Sequence, residues 1–109
     1  SNIFSSYSIS EQETIDTMKN IYKKKSIILD PHTAVGIKAG EKYLKNNLNS
    51  HMVTLSTAHP AKFSNAVKKA IGINPILPKN FLDIFKAVEK CVILDNDYEK
   101  VRDFIISES

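Results

Sequence analysis

The sequence predicts a small, helix-rich α/β unit with the element order α-α-β-α-α-β-α. Three observations carry this reading. Apolar residues recur at helical spacing in several stretches, and residues suited to capping stand at their starts. Two short apolar runs, Met52-Val53-Thr54-Leu55 and Cys91-Val92-Ile93-Leu94, read as buried strands. The chain has 109 residues, 42% hydrophobic and 25% charged, enough for one domain around one modest core. It is therefore read as a single domain over 1–109, with 1–9 as an exposed, flexible lead-in.

The elements follow in order. Five of the residues from Ser1 to Ser10 are serines, which suits the lead-in. Ser10 and Glu13 then form a capping box, with Ile9 as a hydrophobic staple. Ile15, Met18, Ile21 and Tyr22 continue at helical spacing, predicting a helix over about 11–24. Lys23, Lys24 and Lys25 sit where cations favour the negative end of the helix dipole. Asp30-Pro31 stops the run Ser26–Leu29 and opens a second helix, with Asp30 as cap and Pro31 at its first position. That helix runs to about Lys45, with Val35, Ala39, Tyr43 and Leu44 on one side. Gly36 and Gly40, four residues apart, predict a close approach by a neighbouring element. The Met52–Leu55 strand leads into the polar loop Ser56-Thr57-Ala58-His59 and then Pro60. A helix follows, carried by Phe63, Ala66, Val67, Ala70 and Ile71 and stopped by Gly72. Pro75 and Pro78 mark a loop. Asn80 caps a short helix with Phe81, Phe85 and Val88 inward. After the Cys91–Leu94 strand, Asn96 and Glu99 cap a last helix with Tyr98, Val101, Phe104 and Ile105 inward.

Composition excludes several functions. Lysine and arginine number 15 against 12 acids, and Arg102 is the single arginine. A pI near 9.0 without a basic-aromatic patch does not make a nucleic-acid binder. No run approaches the ~18 apolar residues of a membrane span. One cysteine, Cys91, rules out an internal disulfide framework and reads as a buried core thiol. Three glycines, at 36, 40 and 72, cannot build a dinucleotide fingerprint or a P-loop. His32, His51 and His59 lack metal-ligand spacing, and Asp95 and Asp97 look like caps rather than an acid-base pair. What remains is a polar pocket around 56–59, at the end of the first strand, where open α/β sheets place their ligands. A phosphate could sit on the helix start there, although capping by Ser56 or Thr57 explains the same residues. His32 and His59 both stand at loop-to-helix junctions and could share one rim.

Two strings add a family to this reading: Asp30-Pro31-His32-Thr33-Ala34-Val35-Gly36 and Ser56-Thr57-Ala58-His59-Pro60-Ala61-Lys62-Phe63. Together they resemble the C-terminal portion of the threonine synthase family, pyridoxal-phosphate enzymes of fold type II, related in structure to tryptophan synthase β. The Ser5–Ser10 stretch, Leu77-Pro78-Lys79, Val92-Ile93-Leu94 and Phe104 are similar as well, so the resemblance spans nearly the whole chain. It implies an enzyme that converts O-phosphohomoserine and water to threonine and phosphate, with pyridoxal phosphate as electron sink, in the cytoplasm. It also implies that this chain is a C-terminal segment, inactive alone. The family's Schiff-base lysine and glycine-rich phosphate loop have no counterpart here, so no catalytic residue is assigned.

Residue by residue, the resemblance gives Thr57 the hydroxyl that meets the cofactor's pyridine nitrogen. A hydroxyl cannot hold that nitrogen protonated as a carboxylate would, which keeps the ring a weaker sink. Ser56 and His59 are implied neighbours of that contact, and His32 lines the same pocket. Lys62 takes a structural or phosphate-facing place instead of a catalytic one. The implied partners are the remainder of the enzyme chain and O-phosphohomoserine. The face formed by Val53, Leu55, Val35, Ala39 and Tyr43 would pack on the cofactor domain, and left bare it predicts self-association. The alternative is a stand-alone binding or interaction domain that keeps the family's sequence without its catalysis.

Overall fold

A computed structural model describes residues 3–108, apart from the side chain of Phe85. In chain order its elements are α1 (Glu11–Lys25), α2 (Pro31–Lys45), a 3-10 helix (Pro60–Phe63), α3 (Ser64–Ile71), a second 3-10 helix (Lys79–Lys86) and α4 (Tyr98–Ser107). The chain divides into two compact units, one ending at Pro78 and the other starting at Lys79.

In the first unit, α1 begins where the capping box requires. The Glu13 amide donates to Ser10 Oγ at 3.2 Å, and the Ser10 amide donates to Glu13 Oε2 at 3.0 Å. The helix ends on Ser26, in the left-handed region at φ 57°, with its amide bonded to the Tyr22 carbonyl. Four residues later Asp30 caps α2, and Pro31 occupies a position whose amide would have no intrahelical partner. Gly72, at φ 74°, closes α3 with its amide on the Lys68 carbonyl. The helix α1 packs on both α2 and α3. Met18, Leu29, Ala34, Val67 and Ala70 form the buried core between them. The first turn of α1 is also tied electrostatically. Lys42 Nζ lies 2.8 Å from Glu13 and Lys69 Nζ 2.6 Å from Glu11. The Lys42 ammonium and the Ser10 amide together hold the Glu13 carboxyl down to about 2.

Among the described residues there is no strand, and both expected strands are corrected. Met52–Leu55 runs without a ladder partner, leaving Val53 84% and Leu55 75% exposed. A β-strand exists only through the neighbour that completes its hydrogen bonds, and apolarity alone supplies none. What the segment does instead is lie over α2. A Cβ at position 36 would stand 3.0 Å from Thr54 Cγ2, the close approach that the paired glycines predict.

The second unit departs further from expectation. Residues 79–86 form a 3-10 helix that starts at Lys79, not an α-helix capped by Asn80. Cys91–Leu94 makes no strand, and Cys91 is exposed rather than a core thiol. The helix α4 is capped by Asp97, which accepts from the Lys100 amide at 3.0 Å, so Asn96 is not the cap. Phe81, Val88, Tyr98, Val101 and Ile105 are exposed where the pattern placed them inward, and Phe104 is half-buried. The Phe85 side chain, expected in the same stripe, lies outside the described residues. A unit this short has too little volume to enclose its own apolar faces. No helix among the described residues is long and apolar enough to cross a membrane.

Candidate functional site

The site grows from the start of α2. Asp30 is 1% exposed, and its two oxygens are used differently. Oδ1 accepts from the amides of His32 at 2.9 Å and Thr33 at 3.3 Å, which is the cap proper. Oδ2 accepts the hydroxyl of Thr33. Burial pushes the Asp30 carboxyl up, but the hydroxyl and amides donated to it outweigh burial and leave it below the usual carboxylate range.

Two threads run from this carboxylate to the loop 56–59. The Thr57 amide donates to Thr33 Oγ1 at 3.4 Å, a long bond but the loop's only hydrogen bond to α2 among the described residues. His32 Nδ1 stands 3.3 Å from Asp30 Oδ1, and the His32 ring packs against Phe63 with centroids 4.7 Å apart. Thr57 and Phe63, near the two ends of the Ser56–Phe63 string, therefore both lean on the first turn of α2.

A cleft of about 510 Å³ opens beside them, lined by His32, Gly36, Gly40, Tyr43, the segment Met52–Leu55, Thr57 and the lead-in residues Ile3, Phe4, Ser5 and Tyr7. His32 and Thr57 thus face one cavity. Ser56 and His59 are not on its walls; His59 Nδ1 accepts from the Ala61 amide at 3.2 Å and caps the first 3-10 helix. Lys62 also lies outside, its Nζ 5.8 Å from the Phe63 ring centroid. Among the described residues the Thr57 hydroxyl has no hydrogen-bond partner, so it is available to a ligand. The lining holds no lysine or arginine, and no group of three acidic, cysteine or histidine side chains is placed to hold a metal among the described residues. The walls can take an apolar ring with one polar atom; they cannot neutralise a phosphate.

Thr33 is the residue that sequence reasoning passed over. The signal was its position: the third residue of a capped helix faces the cap side chain, where a glutamate would close a capping box.

Comparison with known proteins agrees with the resemblance. A family model described as "Threonine synthase, C-terminal" matches residues 33–105. The chain is 41% identical over 104 residues to threonine synthase of Pseudomonas aeruginosa, covering 94% of this chain and 22% of that protein. It is 46% identical over 75 residues to threonine synthase of Saccharomyces cerevisiae, covering 63% of this chain and 15% of that protein. Among solved structures, the crystal structure of PLP-bound threonine synthase from Brucella melitensis superposes with a TM-score of 0.66 at 34% identity, over 91% of this chain and 21% of the other. The chain thus spans about a fifth of the length of these relatives. It belongs to the threonine synthase C-terminal family.

Proposed function

We propose that these 109 residues act as one C-terminal unit of a cytoplasmic threonine synthase, a carbon-oxygen lyase acting on a phosphate ester, which makes threonine and phosphate from O-phosphohomoserine and water. The observation that carries the reading is the Thr57 hydroxyl, unpartnered among the described residues and set on a cleft wall with His32. Its chemistry suits the pyridine end of pyridoxal phosphate, because a hydroxyl can donate to a neutral ring nitrogen. When bound, that cofactor supplies the electron sink. Thr57 then holds one end of the ring, and His32 and Tyr43 bound the space beside it. His59 acts from behind by fixing where the loop turns, and Ser56 keeps only its place beside Thr57 in the chain. The phosphate has no cation on these walls, which fits a cradle supplied by the rest of the enzyme chain. The chain alone is inactive in this reading, because it carries no counterpart of the family's Schiff-base lysine or glycine-rich phosphate loop.

The bare Val53 and Leu55 side chains support packing against that remainder, and self-association in its absence. The test of the whole reading is Thr57→Val in the full-length parent. Turnover should fall roughly tenfold to a hundredfold, the scale of a lost buried hydrogen bond, with thermal stability nearly unchanged. Unaltered kinetics would reduce Thr57 to a loop residue.

A further inference from the structure

We infer that Asp30 is the positioning residue of this site, a single buried carboxylate that sets both ends of the stretch carrying Thr57. The inference rests on the function proposed above and goes a step deeper into the same cleft.

The bonds have a direction. Ionised Asp30 Oδ2 can only accept, so it draws the Thr33 hydroxyl proton toward itself. Thr33 Oγ1 is then left with its lone pairs outward, the state that accepts the Thr57 amide at 3.4 Å. On the other side, Asp30 Oδ1 lies 3.3 Å from His32 Nδ1, and the His32 ring packs against Phe63. Thr57 and Phe63 are six positions apart, and each is held through a neighbour of Asp30. The carboxylate is almost wholly buried while Thr57 and His32 are exposed, so the fixed element is Asp30 and the adjustable ones are the residues it holds. A loop residue tethered by one long hydrogen bond keeps its place only while its acceptor is correctly oriented.

The experiment uses the full-length parent enzyme with Thr33→Val, Thr33→Ser and Asp30→Asn, read by amide hydrogen exchange over peptides containing Thr57 and by separate kcat and KM values. Thr33→Val should speed exchange at the Thr57 amide by roughly threefold to tenfold, the worth of one hydrogen bond. It should also lower kcat more than it raises KM. Thr33→Ser keeps the hydroxyl and should restore both. If the valine variant does not fold, Asp30→Asn carries the same expectation, because its remaining oxygen still caps α2. Wild-type exchange at Thr57 in the variant that folds, or failure of Thr33→Ser to restore it, overturns the inference. Thr57→Val separates this from the function itself. Reduced turnover there with normal exchange in Thr33→Val defeats the positioning role alone. Unreduced turnover in Thr57→Val, with the exchange shift present, defeats the cofactor contact.

Discussion

Met52 lies against the bare backbone of Gly40, so close that a Cβ at position 40 would stand 2.9 Å from Met52 Cγ. Both residues line the cleft, so this contact sets how near the segment after α2 returns to the helix. Gly40→Ala gains about 1 kcal/mol of helix propensity. It also pushes on a mid-chain atom that moves only if the whole Met52 side chain changes rotamer or the segment shifts, at ~1–3 kcal/mol for overpacking. The expected outcome is a net loss of about 1 kcal/mol in denaturant unfolding. Adding Met52→Ala should reverse the loss; a single variant as stable as the parent sequence would show that the segment moves freely.

Acid should loosen the first unit through Glu13. Its carboxyl sits at about 2 in the folded chain against 4.5 ordinarily, so the folded state favours the ionised form. Stability from this group is complete above about 4.5 and drains away as the pH falls toward about 2. Glu11, lowered by Lys69, and Asp30 act in the same direction. Melting temperature followed from neutral pH into this window should fall, and Glu13→Gln should flatten the slope. An unchanged slope in the variant would mean that the Lys42 contact does not persist in solution.

The core predicts a contrast between two valines. Val67 is fully buried between α1 and α3, and Val67→Ala should cost about 2 kcal/mol from lost burial and the cavity left. Val88 is 89% exposed, and Val88→Ala should stay within ~0.5 kcal/mol. Urea midpoints decide it, and equal costs would place Val88 in a core of its own.

Sedimentation of the isolated chain at several concentrations should show self-association that Val53→Asp with Leu55→Asp abolishes. A monomer at all concentrations, without apolar dye binding, would show that the face needs no cover.

How far the sequence could be read depends on the range of the forces involved. Ser10 with Glu13, Asp30 with Pro31, and Gly72 act within a turn, so α1 and α2 begin, and α3 ends, where local chemistry puts them. Gly36 and Gly40 announced a neighbour correctly, because the lack of a side chain at that spacing has few other uses. Val53, Leu55 and Ile93 misled because their apolarity describes a surface to be covered, and nothing in these residues says by what. Cys91 misled in the same way. At the site, the string around Thr57 was legible as a polar loop, whereas the Thr33 hydroxyl became visible only when α2 turned it toward Asp30.

One carboxylate that both starts a helix and steadies a loop also constrains how this sequence can drift. A substitution at position 30 that removes both oxygens loses the cap and the loop's anchor at once, whereas Asp30→Asn keeps the cap and gives up the second acceptor. A compensating change elsewhere, such as a better-packed residue in α1, can return the lost stability but not the anchor. Neighbouring positions are freer: Thr33 can pass to serine and keep its hydroxyl. Asp30 is therefore the position in this first turn where no other side chain of its length supplies both acceptor oxygens.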